Sequence, residues 1–367
     1  MTATMVPSDR LDTEPRAGLF DRVGDVSALS VLRIVLGPIV IAHLWPFLQD
    51  ARDGILYDDH FWQPYIAGTP HIPGELWAPL LWVGVVSAAL MTLGVLTRFA
   101  TATTLVVVAG NLLLSGTHFR HNRAFLTILL FGLTLLPTGS TRSVDAWLRQ
   151  RRGRPAASRE APLWPLVLLR VQVSLVYFSS GFSKLIDPDW VSGVVLWDRA
   201  VRYQAEIHPA PGWFVDFVTW RPLFWLAAPI AIAIELFLAG GLWLPRTRLA
   251  AIRLAIVFHL AIELSAKVEV FSLAAIAALI IWVTPASRDR TIRVRGDSPL
   301  TRVVPTVLPW FDWLGRFRLE PARPDDPDLV VVDRDGTTLR GRAAGRLILE
   351  RIPLTFPFAP LVRSAPR

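Results

Sequence analysis

The stretch LLRVQVSLVYFSSGFSKL, residues 168–185, decides the fold class of this chain. It is long and apolar enough to cross a bilayer as one helix, since a span needs about 20 mostly apolar residues. A polar stripe on such a helix faces protein or water, because polar groups are costly in lipid. The residues that share one stripe at helical spacing are Arg170, Ser174, Tyr177, Gly181 and Lys184.

The rest of the chain has the same membrane character. Its 367 residues are 52% hydrophobic and only 19% charged, with a mean hydropathy of +0.42, whereas soluble domains carry about 25% charged residues. The pattern predicts an all-α integral membrane protein, a polytopic bundle of about eight transmembrane helices with a small α/β-like cytosolic C-terminal tail. The predicted spans lie near 27–48, 76–96, 99–116, 124–138, 163–186, 223–244, 249–267 and 270–285.

Three segments follow from this pattern. Residues 1–26 form a cytosolic N-terminal segment without the apolar core of a secretory signal. Residues 27–286 form the transmembrane domain. Residues 287–367 form a charged, Pro-rich cytosolic tail with a predicted strand, a turn at Asp335-Gly336 and a helix from Arg342 to Arg351. Such a tail has too small a core to stand alone, so we expect it to pack against the membrane domain or a partner.

Loop charges set the predicted orientation. Arginines concentrate in residues 139–161 and 288–295, whereas the loops at 49–75 and 187–222 carry more acids than bases. Because cytoplasmic loops are enriched in Lys and Arg, both termini are predicted to be cytoplasmic in a multi-pass protein of the cell membrane. The net charge of +8 therefore follows from topology, and no nucleic-acid partner is predicted.

Several ionisable residues lie inside the predicted spans. We expect Arg33, Arg98, Arg170 and Arg253 to snorkel toward the inner head groups, and Glu235 to form an ion pair with one of these arginines. The seventh span carries His259, Glu263 and Lys267 at successive i,i+4 positions. An intrahelical Glu263–Lys267 pair explains two of them. Metal binding is the alternative, but two ligands do not make a site and the absence of cysteine excludes thiolates, so no metal is predicted.

Two features suggest chemistry at the outer end of the bundle. Lys184 ends its helix on the predicted non-cytoplasmic side, either as a lysine that snorkels outward or as a partly buried amine. Desolvation lowers the pKa of a lysine, which lets the amine act as a base near neutral pH. The connection HFRHNR, residues 118–123, holds His121 and Asn122. It is either a solvated loop or a source of donors and a titratable imidazole at a pocket mouth.

These residues resemble a known family. The run VYFSSGFSKL at 176–185, followed by DWVSG at 189–193, is similar to the signature helix and loop of the HTTM superfamily, which comprises the membrane domain of vitamin K-dependent gamma-carboxylase and its bacterial relatives. Further matches are the His/Asn cluster at 118–123, SVD at 143–145, and FH at 258–259 with FS at 271–272. The resemblance covers roughly residues 25–285.

The resemblance implies quinone chemistry. In the carboxylase a lysine of this motif deprotonates a reduced quinone, and the oxygenated quinone drives proton abstraction from glutamate. Lys184 is the matching position, and His121 and Asn122 match a polar pair in reversed order. The implied cofactor is a reduced, menaquinone-like lipid quinone, whose prenyl chain suits an apolar bundle. The expected catalytic residues are Lys184, His121 and His259, and the expected substrate-binding residues are Tyr177, Gly181, Asn122, Glu263 and Lys267.

Other readings stay open at this point. The chain lacks the large non-cytoplasmic domain with which the carboxylase engages its protein substrate, which argues against carboxylation of a propeptide-bearing protein. Its tail is similar to the end of the DCC family of thioredoxin-like proteins, without that family's paired cysteines. A non-enzymatic maturation or assembly factor for a partner membrane or exported protein is the competing function, since some bacterial relatives resemble the membrane component of a toxin maturation system. A transporter comes third, since no paired broken helices are evident.

Overall fold

The protein is described by a computed structural model. Helices make up most of the described chain, and strands are confined to one short pair beside the helical region and to the tail. The described residues are 20, 22–53, 56–207, 211–265, 268–283, 290–296, 298–312, 315–352, 355, 359 and 361–362.

The first half of the helical region is a series of hairpins in which each long helix packs on the next. The second helix ends at Gly94, whose φ of 71° is the left-handed conformation that glycine adopts without strain. A fifth, short helix begins after Ser143, whose hydroxyl accepts a hydrogen bond from the Ala146 amide. The elements are α1 (Leu29–Asp53), α2 (Gly74–Leu93), α3 (Thr97–Leu114), α4 (His121–Thr134) and α5 (Val144–Arg151).

The second half is built on one long antiparallel pair, formed by the helices at 164–185 and 221–241. Trp243, just past the end of the second of these, donates to the Ser174 hydroxyl at 2.8 Å, and Phe224 near its start lies against Gly193. A 3-10 turn, Leu279–Trp282, extends the last helix. The elements are α6 (Trp164–Leu185), α7 (Pro188–Val191), α8 (Val194–Ile207), α9 (Gly212–Thr219), α10 (Arg221–Gly241), α11 (Arg248–Ser265) and α12 (Phe271–Ala278).

Five of the described helices are long and apolar enough to cross a membrane: α1, α2, α3, α6 and α10. They coincide with five of the eight predicted spans. The span predicted at 124–138 corresponds to the 14-residue α4, and that at 270–285 to the apolar segment Phe271–Trp282. The span predicted at 249–267 corresponds to the 18-residue α11, which carries three charged side chains. A total of eight spans therefore stays a prediction.

Close helix packing begins at α1 and α2. A side chain at Gly37 of α1 would place its Cβ within 3.0 Å of both Ala88 and Thr92 of α2, so only glycine allows this approach. The large apolar core continues through α3, α4, α6, α11 and α12, with Leu29, Leu126 and Trp282 among its fully buried side chains. Burial of this kind holds helices together by packing.

Arg33 is buried at the end of this core where α1 begins. Its guanidinium donates to the carbonyls of Met91 and Thr92 at the end of α2, and to those of Thr138 and Arg142 in the loop after α4. The expectation that Arg33 snorkels toward head groups was therefore wrong. Its five fixed donors suit several carbonyls that the ends of helices leave without intrahelical partners.

The tail contains more structure than the sequence indicated. The short pair beside the helical region is β1 (Val23–Asp25) and β2 (Glu160–Pro162). The strands of the tail are β3 (Arg290–Val294), β4 (Phe317–Pro321), β5 (Leu329–Val332) and β6 (Thr338–Arg340). They form one sheet in the order β4-β3-β5-β6, with β3 parallel to β4 and the other pairs antiparallel. The predicted strand corresponds to β5, the predicted turn at Asp335-Gly336 lies between β5 and β6, and the predicted helix corresponds to Gly341–Arg351. The strands β3, β4 and β6 were not predicted. The helices of the tail are α13 (Leu300–Phe311) and α14 (Gly341–Arg351).

The tail has an apolar cluster of its own, to which Ile292, Phe317 and Val331 contribute from the sheet and Leu308 and Leu347 from the helices. Among the described residues, the Arg316 guanidinium links the tail to the helical region by donating to the Val283 carbonyl at 2.7 Å. The expected packing of the tail against the membrane domain thus has a specific anchor. Its resemblance to the DCC family stays a prediction.

Candidate functional site

Lys184 and Glu235 form a close ion pair between α6 and α10. The lysine Nζ lies 2.7 Å from Oε1 and 2.6 Å from Oε2 of the carboxylate. Gly181 makes this approach possible, because a Cβ there would lie 3.0 Å from the Leu236 side chain and 3.2 Å from the Cβ of Glu235. The lysine side chain is 16% exposed and the carboxylate 8%, so the amine points into protein. It does not snorkel outward.

Ser180 completes this pair as a third member. Its hydroxyl accepts from the lysine Nζ at 2.5 Å and donates to Oε1 of Glu235 at 3.0 Å. An ammonium has three N–H donors, and Ser180 with the two carboxylate oxygens provides three acceptors. We name Ser180, Lys184 and Glu235 the polar triad.

An aromatic ring covers the triad. The Lys184 Nζ lies 5.1 Å from the centre of the Trp190 ring, and the Arg199 guanidinium carbon lies 4.9 Å from the same point. Both are favourable cation–π distances. The short α7 that carries this ring begins at Asp187, whose carboxylate accepts from the amides of Asp189 and Trp190. The sequence after Lys184 therefore folds back as a cap over the amine.

Tyr177 and His259 form a second polar contact on the same stripe of α6. The tyrosine hydroxyl and Nε2 of His259 in α11 are 2.8 Å apart, and both side chains are buried. The other ring nitrogen of His259 has no hydrogen-bond partner among the described residues. Tyr177 lies seven residues before Lys184, about 10 Å along the helix. The predicted catalytic His259 thus faces the stripe two turns away from the triad.

The other predicted residues of the seventh span are only partly described. Glu263 lies one turn beyond His259 on α11 and is partly buried. Lys267 lies outside the described residues. The predicted shared face of His259, Glu263 and Lys267 is therefore seen in its first two members, and the substrate-binding role of Glu263 and Lys267 stays a prediction.

His121 and Asn122 lie at the start of α4, apart from the triad. The Asn122 amide donates to the Val268 carbonyl at 3.3 Å, and the exposed His121 ring packs edge-on against Phe119 at 5.7 Å. The structure thus brings Tyr177, Gly181 and Lys184 onto one face of α6, and no contact among the described residues joins His121 or Asn122 to Lys184.

Next to them lies an ion pair between Arg123 and Glu269, with N–O distances of 2.7 and 3.0 Å. Burial raises the pKa of Glu269, but the hydrogen bonds and charge of Arg123 lower it by more, so the net pKa lies below its ordinary value. The carboxylate is therefore ionised near neutral pH. This pair joins α4 to the turn before α12.

A buried polar cluster in this part of the molecule escaped the sequence analysis. Oδ1 of Asn111 accepts from the Tyr57 hydroxyl at 2.7 Å and from Trp77 Nε1 at 2.9 Å, and the Asn111 carbonyl lies 3.0 Å from Nδ1 of His118. Burial lowers the pKa of His118, which favours a neutral ring. Asn111 was the available signal, since an amide inside an apolar helix needs partners.

Glu235 and Ser180 were also missing from the predicted site. Glu235 was expected to pair with an arginine, and that was wrong: its partner is Lys184. The reason is geometric, because the antiparallel register of α6 and α10 sets residues 181 and 184 opposite 235. The available signal was an acidic residue within an apolar 21-residue helix, which indicates a polar partner. The sequence alone did not show which residues of α6 lie opposite Glu235.

Two cavities open between helices near these residues. One of about 420 Å³ lies between α6 and α10, and its lining includes Phe178, Leu236 and Gly240. The other, of about 550 Å³, lies between α3, α4 and α6. Both are lined mainly by apolar side chains. The lining of the first cavity extends from Leu236, the residue after Glu235, toward Ser174 and Trp243 at the other end of the two helices.

The comparisons with known proteins address the helical region. A family model described as the HTTM domain matches residues 21–286. The match spans α1 to α12 and ends before the first strand of the tail. No solved structure matches the chain.

Proposed function

Because this chain belongs to the HTTM domain family, we propose that it is a multi-pass membrane protein whose polar triad exchanges a proton with a reduced lipid quinone. The observation that carries the proposal is the bidentate contact of Lys184 with Glu235 beside Ser180. A cation that only held the two helices together would need a charge but no partner able to take up a proton. The triad instead offers two titratable groups that share hydrogen bonds.

The use of lysine at this position supports a proton-transfer role. The chain contains 38 basic residues other than histidine, and only Lys184 and Lys267 among them are lysines. Arginine therefore supplies almost every structural or interfacial cation of this protein. A guanidinium keeps its proton under all ordinary conditions, whereas an amine is able to transfer its proton to a partner. Lysine at 184 is the choice that permits deprotonation.

The residues present fit a prenylated ring. The cavity of about 420 Å³ between α6 and α10 is apolar enough for hydrocarbon and begins at the residue after Glu235. Trp190 provides an aromatic face beside the amine. A reduced quinone, when bound, supplies an acidic hydroxyl and a source of electrons. Lys184 and Glu235 would orient that hydroxyl and accept its proton, and Trp190 would restrict the access of water.

Within the triad the proton has a defined path. For Nζ of Lys184 to accept a proton it must first be neutral, and Glu235 can take the proton that the ammonium gives up. Ser180 holds the two groups in register by accepting from one and donating to the other. Glu235 is thus the positioning partner that sets the charge state of the amine.

We further propose the orientation in which both termini are cytoplasmic and Lys184 faces the non-cytoplasmic leaflet. Arg33, Arg170 and Arg248 lie at the opposite end of the bundle from Lys184, and arginine-rich loops favour the cytoplasm. Lys184 is 14 residues beyond Arg170, which places it about 21 Å further across the bilayer. Reporter fusions after residues 155 and 205 test this: the first should report cytoplasm and the second the other side. The reverse result would refute the orientation.

A lipid analysis tests the quinone proposal. Purified protein extracted with organic solvent should release an isoprenoid quinone, detected by mass spectrometry. Gly240→Phe should lower the amount, because Gly240 lines the cavity and has open space where a side chain would go. Gly212→Phe is the matched control, since it also has open space but lies outside the cavity. Equal quinone in both variants, or none in the unmodified protein, would contradict the proposal.

A non-enzymatic assembly factor is the second candidate, and one surface favours it. Trp213 and Phe217 of α9, with Trp220 just after it, are each more than half exposed at helical spacing. Such aromatic residues are typical of protein contacts. A photo-crosslinker at Phe217 should then capture a membrane or exported protein equally well in the unmodified chain and in Lys184→Arg, because holding a partner needs no proton transfer.

A further inference from the structure

The exposed face of α13 is a surface for which the proposed function has no use. Val303, Val307 and Trp310 lie four and three residues apart, so they share one stripe of the helix. They are 51%, 41% and 75% exposed. Leu308, on the opposite face, is buried in the apolar cluster of the tail. The helix therefore has two apolar faces, and only one of them packs on the tail itself.

We propose that α13 lies on the membrane surface, with Val303, Val307 and Trp310 inserted among anionic lipids. An amphipathic helix of this kind binds in the interface plane with its apolar side chains at the head-group boundary. Tryptophan is enriched there because its ring is apolar and its N–H is polar. Thr306 and Arg302, which follow one flank of the stripe, are exposed and polar, as a helix at the interface requires.

The position of the tail supports the bilayer as the occupant of this face. Arg316, five residues beyond α13, donates to the carbonyl of Val283, where the last described helical segment of the bundle ends. Near that end Trp243 packs edge-on against Trp282 at 5.0 Å, and Arg170 lies 5.4 Å from the Trp282 ring. Aromatic residues and arginines at a helix end mark a membrane interface. The tail is thus held where the bilayer surface begins.

Charge complementarity identifies the lipid class. Residues 287–367 contain 15 arginines and 10 acidic residues, an excess of five positive charges. Arg302 of α13 and Arg318 of β4 are both exposed. Basic segments next to a membrane helix are attracted to anionic head groups, and the attraction decreases with ionic strength. A protein partner for the same face would need no such excess of one charge.

Site-directed spin labelling of the full chain tests this inference. The natural sequence has no cysteine, so Val307→Cys can be labelled alone, in bilayers with and without phosphatidylglycerol. Thr337→Cys, exposed at the turn between β5 and β6, is the matched control. Oxygen concentrates in the bilayer, whereas a water-soluble nickel chelate stays outside it. We therefore expect the ratio of oxygen accessibility to chelate accessibility to be several-fold higher for the label at 307 than for the label at 337. Phosphatidylglycerol should increase the difference.

Two results would overturn the proposal. If the labels at 307 and 337 have the same ratio of oxygen accessibility to nickel-chelate accessibility in both bilayers, α13 is exposed to water. A label at 307 that neither reagent reaches would show that protein covers this face, either a second copy or another chain. Val307→Cys replaces a partly exposed side chain outside the tail core, so loss of folding should not obscure the outcome.

Discussion

Arg33 and Lys184 are both cations inside membrane helices, and their partners are of opposite kinds. Arg33 donates to backbone carbonyls from α2 and from the loop after α4. Lys184 donates to a carboxylate and a hydroxyl. Carbonyls cannot take up a proton, so the first arrangement can only hold elements together. A carboxylate can, so the second arrangement can change its charge state.

This difference separates a structural cation from a candidate functional one. Both residues are ionisable groups in apolar helices, and for both the burial of a charge costs free energy. The partners decide between the two roles, and partners are a property of the fold. The comparison can be tested by removing each cation and by exchanging arginine and lysine.

The largest effect should come from Arg33→Ala. The substitution leaves several buried carbonyls without donors and a cavity at the start of α1, so we expect a loss of about 4 kcal/mol or more in unfolding free energy. Thermal unfolding in detergent measures it. Arg98→Ala, at an exposed position of α3, should change stability by less than about 0.5 kcal/mol. Equal effects of the two would remove Arg33 from its structural role.

Glu235→Gln should destabilise less. It leaves the Lys184 ammonium facing a neutral amide, and breaking a buried pair from one side costs roughly 3 kcal/mol. The double variant Lys184→Met with Glu235→Leu should recover to within about 1 kcal/mol of the unmodified protein, because a buried pair replaced by apolar groups is close to neutral. Chemical denaturation of all three proteins measures this. A double variant as unstable as Glu235→Gln would mean that the pair is needed for the fold.

Tyr177→Phe should have a smaller effect. It removes the hydroxyl that lies 2.8 Å from Nε2 of His259 and should lower the unfolding free energy by about 1 kcal/mol. Tyr65→Phe, at an exposed ring stacked on Phe119, is the control and should be nearly neutral. If both changes are neutral in thermal unfolding, the Tyr177–His259 contact contributes nothing to stability.

The smallest expected effect is the pH-dependent stabilisation that the Asp145 carboxylate provides. Burial raises the pKa of this carboxyl, but hydrogen bonds from Thr97 and Leu96 lower it by more, so the net pKa lies below the ordinary value. Its stabilisation is complete above the ordinary pKa of an aspartate and is lost as pH falls through the lowered one. Asp145→Asn should therefore lower the melting temperature slightly at neutral pH and not at all in strong acid. Asp325→Asn, at an exposed position of the tail, is the matched control and should leave the melting temperature at neutral pH nearly unchanged.

Much of this molecule could be predicted from periodicity and composition. The stripe on α6 correctly indicated a helix packed against protein, and Tyr177, Gly181 and Lys184 do share a face against α10 and α11. The partners of Lys184 could not be predicted, because the register of α6 against α10 depends on three-dimensional packing. The same limit applies to Arg33, whose acceptors come from residues 91–142. In the tail, apolar residues do alternate with polar ones, at Ile292 and Val294 of β3 and at Phe317 and Leu319 of β4. Each strand has only five residues and neighbours Arg and Pro, and neither was predicted.

A proton-transfer role for Lys184 is tested most directly by Lys184→Arg, assayed with reduced menaquinone in nanodiscs by oxygen uptake. Arginine can pair with Glu235 and keep the helices together, but it cannot give up its proton. We expect the variant to unfold at the temperature of the unmodified protein and to show none of its quinol-dependent oxygen uptake. If the variant instead consumes oxygen at the rate of the unmodified protein, Lys184 is a structural cation like Arg33.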